Sequence, residues 1–248
     1  MPSVSFDRTA DRYDATRGGL RRGKDAADVI ARHARPGAIV EVGVGTGGVA
    51  LALLDHGHPV AGFDLSPRML MAGRWQLGPR AAVADGYELP VRTSAVPNVA
   101  IVWVFQLVPD VPGLMAEAAR VVAPGGRVMV VPSGGRWEPD DVGEIIITMA
   151  RRLRPMLDTP EQIIAAAEVA GLTLVAHDVT APATSLESPE ASIRTISKRV
   201  WPSLWDVDDN QWAAIVAPAI AALEALPDPT RPRRRVTRFD VLVFESPE

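Results

Sequence analysis

Three acidic positions and one cluster of glycines stand out for the chemistry they could support. Glu41 precedes glycines at 43, 45, 47 and 48, Asp64 closes a second apolar run, and Asp85 follows a third within ADGYELP. Glycines at that density allow positive φ and let a ligand approach the backbone closely. The apolar run Ala38-Ile39-Val40 before them reads as a buried strand, and the pattern Val49 to Leu54 after them as a helix. The first N–H groups of such a helix are unpaired and suit a carboxylate or phosphate. An acid at the end of the neighbouring strand can accept hydrogen bonds from both hydroxyls of a ribose, the role expected of Asp64. The plainer role is a helix cap, which Ser66 with Pro67 behind it fills more naturally. The two are compatible, with Ser66 capping while Asp64 binds.

The loop itself fits two cofactors. Gly43, Gly45 and Gly48 satisfy the G-x-G-x-x-G fingerprint of dinucleotide-binding folds, and the same stretch also reads E-x-G-x-G-x-G. The elements that must position it follow in alternation. A helix over Asp25–Ala34 is stopped by Arg35-Pro36-Gly37. A helix over Gly48–His56 leads to a strand at Val60–Phe63, a helix at Pro67–Leu77 and a short strand at Arg80–Ala84. Val99–Phe105 is almost continuously apolar, as in a strand buried on both faces. A helix then runs to Val122, and Ala123-Pro124-Gly125-Gly126 turns into a strand over Arg127–Val131.

Beyond a loop at Gly134–Pro139, a helix is expected over Asp140–Leu153. Thr159 and Pro160 read as the cap and first position of another helix, ending at Gly171. Strands follow at 172–179 and, last, at Arg238–Glu245. The connection Ala181–Arg235 is far longer than a hairpin. It holds helical patterns at Ser188–Val200 and Asp208–Leu226, with Trp201, Trp205 and Trp212. A helical hairpin with tryptophans in its core and a substrate lid with aromatic walls both fit it. The run RPRRR at 231–235 reads as a solvated turn.

Composition narrows the classes. The chain has 248 residues, 47% of them hydrophobic, enough for one large α/β domain with additions. A net charge of −4 gives no general attraction to nucleic acid or anionic lipid. With no cysteine there is no disulfide, thiolate catalysis or cysteine-ligated zinc, which is compatible with a reducing cytoplasm. The N-terminus lacks the apolar core of a signal peptide, and no apolar run approaches the ~20 residues that span a bilayer.

Taken in order, EVGVGTG, FDLSPRML, ADGYELP, VWVFQLVPD and ARVVAPGGRVMVV resemble the successive motifs of class I S-adenosylmethionine-dependent methyltransferases acting on small molecules. The resemblance covers about Phe6 to Pro132, and FDRTADRYDATRG is similar to the segment that lies over the cofactor in many members. It implies an α/β fold: a three-layer, Rossmann-like, seven-stranded sheet with an antiparallel last strand inserted between the fifth and sixth, plus a helical cap or insertion. One methyltransferase domain over 1–248 is expected, with a core of about 25–180 and 236–246, an N-terminal cap at 1–24 and a lid at 181–235.

The implied cofactor is S-adenosyl-L-methionine. The implied binding set is Tyr13, Glu41, Gly43, Gly45, Gly47, Asp64, Leu65, Met69, Asp85, Gly86, Trp103 and Gln106. In it the glycines admit the methionine portion and Glu41 orients the loop. Asp64 holds the ribose, Asp85 and Gly86 the adenine, Trp103, Val104 and Gln106 lie beneath the cofactor, and Tyr13 covers it. Where many relatives carry an acid at the start of the fourth strand, this chain has Asn98. Where many carry histidine near its end, it has Gln106. His33, His56, His58 and His177 read as structural, so no catalytic acid or base is assigned, and no metal site. The expected partner is a small-molecule methyl acceptor, with neither nucleic acid nor membrane, in a cytoplasmic monomer or homodimer. The rival readings are an NAD(P)-dependent oxidoreductase and a cofactor-binding protein of this fold without turnover.

Overall fold

A computed structural model describes residues 19–154 and 158–248, the side chains at 19–21, 74–76 and 202 excepted. Tyr13 and the segment FDRTADRYDATRG up to residue 18 lie outside the described residues. In chain order the elements are α1 (Gly19–His33), β1 (Ile39–Val42), α2 (Gly48–Asp55), β2 (Val60–Asp64), α3 (Pro67–Leu77) and β3 (Ala81–Val83). Next come β4 (Val96–Val102), α4 (Val111–Val121), β5 (Val122–Val131), β6 (Gly135–Trp137), α5 (Asp141–Leu153), α6 (Pro160–Val169) and β7 (Thr173–Val179). The chain ends with β8 (Ala183–Glu187), α7 (Pro189–Ser197), a helix from Asp209 to Glu224 and β9 (Arg233–Glu245).

The chain forms two compact units, one of residues through Gly135 with 158–181 and Phe239–Glu248, the other of Arg136–Met156 and Pro182–Arg238. In the first unit, β1 pairs in parallel with β2 and β4, β2 with β3, and β4 with β5. The second half of β9 runs antiparallel between β5 and β7, with Arg127 opposite Glu245 and His177 opposite Leu242. The α/β architecture and the inserted antiparallel strand are those expected from the motifs.

Alternation along the strands explains the continuous apolar runs. Val99 and Ile101 of β4 join Val40, Val42, Leu114, Met115 and Ile163 on one face of the sheet. Ala100 and Val102 join Ile30, Ile39, Val49 and Leu53 on the other. Both faces of the central strands β1 and β4 are covered, so their apolar positions are interior on either side and the period-2 signal disappears there. Each fully buried Leu, Ile or Phe in these layers contributes about 1.5–3 kcal/mol.

Several boundaries differ from the sequence reading. α1 begins at Gly19 rather than Asp25 and contains Gly23, a residue that weakens helices. The glycine is there for space: a Cβ on Gly23 would lie 2.5 Å from the Gly48 carbonyl carbon. β4 ends at Val102 rather than Phe105, because Trp103 adopts φ 57° and Phe105–Leu107 form a 3-10 turn. Phe105 is fully buried inside that turn, and an apolar run cannot distinguish a buried turn from a strand. β5 starts at Val122, so the glycine turn lies within an irregular strand, where the β4–β5 register shifts.

In the second unit, β8 and the start of β9 form an antiparallel pair, with Glu187 opposite Arg233 and Ser185 opposite Arg235. The segment 231–235 is therefore not a solvated turn, since its arginines from 233 onward are strand residues. Arg235 meets Asp140 at 3.3 Å and Arg233 meets Asp141 at 3.3 Å, both acids at the N-terminus of α5, where Asp140 also caps Gly143 N–H. Strand placement becomes possible because the guanidinium groups reach those carboxylates while their stems pack. This unit has its own core of Val142, Ile146, Met149, Ile196, Leu204 and Leu223, with Trp201 and Trp212 packed against it. The helix Asp209–Glu224 is π-helical over Trp212–Val216, and Arg199 lies 4.7 Å over the Trp212 ring.

Candidate functional site

At the C-terminal ends of β1, β2 and β4 the first unit holds a cleft of about 950 Å³, partly continuous with solvent. That position follows from the parallel strand order, whose crevices open beyond the carboxyl ends. Its floor begins at the glycine bend. Gly43 N–H donates to the Phe63 carbonyl at 2.7 Å, and Gly43, Gly45 and Gly47 have φ of 74°, 56° and 91°. Gly47 thereby starts α2 without a side-chain cap.

Asp64 ties this bend to the next strand. Its Oδ2 accepts from Gly45 N–H and its Oδ1 from Ser66 N–H, each at 2.8 Å. Ser66 in turn accepts from Met69 N–H at 3.1 Å, so the cap and the site acid are separate residues, as the sequence allowed. A carboxylate oxygen offers more than one lone pair, so Asp64 can hold two amides and still accept from hydroxyls. Asp85 accepts from Tyr87 N–H at 3.0 Å in a tight turn that sets Gly86 against Leu114 and Val42.

The cleft brings together Gly43, Gly45, Asp64, Leu65, Met69, Asp85, Gly86, Trp103 and Gln106. Glu41 and Gly47 do not reach its wall. Gly47 instead leaves room for Leu77, whose Cγ would lie 2.7 Å from an added Cβ. Glu41 is 2% exposed on β1, and its Oε2 has no hydrogen-bond partner among the described residues. Burial pushes its carboxyl well above the usual range, and the negative charge of Asp64 pushes the same way.

That shift has a stability consequence. A carboxyl raised in the folded state is protonated there at pH values where the unfolded chain has released its proton. Its contribution is full below the unfolded value near 4.5 and is lost as pH rises toward the folded value. Glu41→Gln is expected to be more stable than the parent at neutral pH, because the amide has no proton to lose. The difference should vanish below the unfolded value in urea denaturation across pH; a pH-independent difference would remove Glu41 as the source.

Trp103 closes the cleft where β4 ends. Its backbone N–H donates to the Val131 carbonyl at 2.9 Å, its backbone carbonyl accepts from Gln106 Nε2 at 3.2 Å, and Phe239 meets its ring edge-on with centroids 5.5 Å apart. A left-handed tryptophan is an outlier that its surroundings must hold in place. Arg22, from the first turn of α1, lies 3.7 Å over the same ring and lines the cleft. Arg22 and Tyr87 were missed from the sequence. Tyr87 lies inside a motif already singled out. Arg22 has no local signal except its neighbour Gly23, whose missing side chain marks a close helix contact.

The two departures from the family pattern are also placed. Asn98 is fully buried, accepts from Arg35 N–H at 2.7 Å and donates to the Arg35 carbonyl at 2.8 Å, so it stitches a loop at the far end of the strand. Gln106 lines the cleft. The histidines are occupied by Asp178 (His33, 3.2 Å), Asp28 (His56, 2.8 Å), the Gly37 carbonyl (His58, 3.1 Å) and Asp240 (His177, 2.6 Å).

A strand–glycine bend–helix unit with acids at the ends of the next two strands defines a nucleoside-cofactor fold. Comparison with known proteins says which. Residues 40–130 match the methyltransferase domain family. The ubiquinone/menaquinone biosynthesis C-methyltransferase UbiE of Acidiphilium cryptum is 34% identical over 135 residues, 49% of this chain and 54% of that protein. The demethylmenaquinone methyltransferase of Thermus thermophilus is 34% identical over 139 residues, 51% and 63% respectively. The chain thus spans between about half and under two thirds of these two relatives. A methyltransferase structure from Bacillus halodurans aligns over 90% of this chain and 99% of its own, at 16% identity and a TM-score of 0.61. A Haemonchus contortus phosphoethanolamine N-methyltransferase complexed with S-adenosyl-L-methionine aligns over 98% and 57%, at 19% and 0.57. Residues 40–130 are thus similar to a methyltransferase domain, and the chain has the fold of class I S-adenosylmethionine-dependent methyltransferases.

Proposed function

We propose that this chain transfers the methyl group of S-adenosyl-L-methionine to a small-molecule acceptor by in-line displacement. The observation that carries the reading is the convergence of Asp64, Asp85 and the Gly43–Gly45 bend on one cleft. In this reading Asp64 accepts from the ribose hydroxyls, Asp85 from the adenine amino group, and the bend passes the methionine chain. Alignment of acceptor and methyl group inside the cleft can supply up to roughly 7–11 kcal/mol of the acceleration in favourable cases.

Arg22 completes the cofactor site. Gly23 packs on Gly48, the first residue of α2, so Arg22 projects beside the end of the glycine loop. A guanidinium there matches the carboxylate of the amino-acid end of the cofactor. Calorimetry with S-adenosylhomocysteine tests the whole reading, and absence of binding at high micromolar protein ends it. Arg22→Gln should weaken S-adenosylhomocysteine about tenfold, the worth of one charge-assisted contact, and leave 5′-methylthioadenosine, which has no carboxylate, unchanged. Equal losses for the two ligands would remove Arg22 from the carboxylate.

A further inference from the structure

We infer that the methyl acceptor reacts as a preformed anion, a carboxylate, enolate or acidic phenolate carried on an apolar body. This rests on the function proposed above and names its substrate class. Among the described residues, the titratable side chains lining the cleft are Arg22, Asp64, Asp85 and Tyr87. The first three are committed to the two ends of the cofactor. The Tyr87 hydroxyl donates to the Asp110 carbonyl and accepts from Asp110 N–H, both at 3.1 Å, so both its functions are used. Each histidine of the chain already has a partner elsewhere.

What remains beside Trp103 is the end of β4 and the turn after it: Val102, Val104, Leu107 and Val108, with the amide of Gln106. Among the described residues, the one charge such walls leave for the acceptor to meet is the sulfonium. In apolar surroundings a cation and an anion attract strongly, and their reaction destroys both charges. The anion's lone pair forms the bond to the methyl carbon, the carbon–sulfur pair leaves to sulfur, and a neutral thioether and a neutral methylated product result. No proton moves, so no base is required. An alkylammonium would first have to lose a proton and would be repelled by the sulfonium. An alcohol, with its far higher pKa, would need a strong base.

The test compares binding of three probes of one shape, 2-naphthoate, 2-naphthamide and 2-naphthylmethylammonium. Each is titrated by calorimetry into the protein saturated with sinefungin, whose ammonium stands where the methyl sulfonium would be. A second series uses the protein saturated with S-adenosylhomocysteine, which is neutral at sulfur. The expected result is that naphthoate binds most tightly, gains about tenfold between the neutral and the charged cofactor analogue, and that naphthamide gains nothing. Gln106→Glu should erase the preference for naphthoate. The inference is overturned if the amide or the ammonium binds the sinefungin complex as tightly as naphthoate, or if none of the three binds at millimolar concentration. Failure of sinefungin and S-adenosylhomocysteine themselves to bind would instead strike the proposed function.

Discussion

Asp64→Ala is expected to weaken S-adenosylhomocysteine about 10- to 100-fold, the loss of two charge-assisted hydrogen bonds to ribose hydroxyls. The same loss should appear with 5′-methylthioadenosine, because both ligands carry the ribose. That parallel separates Asp64 from Arg22, whose replacement should spare the shorter ligand. A structural cost accompanies it. Gly45 N–H and Ser66 N–H lose their acceptor, and the bend loses its tie to β2. Asp64→Asn provides the control. Its amide oxygen can still accept from one of the two backbone groups, so it should recover part of the thermal stability and little of the affinity. If Asp64→Ala binds both ligands like the parent, the ribose lies elsewhere and the cleft needs another occupant.

Gly23→Ala is the second large effect, and it falls on the fold first. The added Cβ would lie 2.5 Å from the Gly48 carbonyl carbon and 2.6 Å from its oxygen. Those are backbone atoms at the head of α2, so no rotamer change relieves the contact. Ala26, Ala27, Val29 and Ile30 of α1 share a core with Val49, Ala50 and Leu53 of α2. Prising α1 away opens that core at a cost of about 1–3 kcal/mol for overpacking, despite alanine's better helix propensity. A fall in Tm together with weaker S-adenosylhomocysteine binding is expected, since Arg22 moves with the helix. A rise in Tm would mean that the helices part without strain and that the glycine serves no packing purpose.

The elements whose signals are local were legible in the sequence. Pro67–Leu77 was readable from Ser66 and Pro67 at one end and the turn before Arg80 at the other. The antiparallel insertion of β9 came from the resemblance and not from its residues, which are apolar on both faces. What escaped depends on packing at a distance. Arg233 and Arg235 look like loop residues until Asp141 and Asp140 arrive from another helix. The end of β4 is hidden because Phe105 is as buried in a turn as it would be in a strand. The acids and glycines that line the cleft could be named because chemistry restricts residue type at those positions. Arg22 could not, because its place follows from the seating of α1 on Gly48. Glu41 matched the motif yet sits behind the wall, because strand alternation turns its side chain into the interior.

With Gly45 and Ser66 both anchored on one carboxylate, the binding loop takes its bend while the protein folds and not when a ligand arrives. Cofactor capture then requires no ordering of this segment. Its association should follow a single exponential that scales with ligand concentration and with solvent viscosity, and the heat-capacity change should report the apolar surface covered and little else.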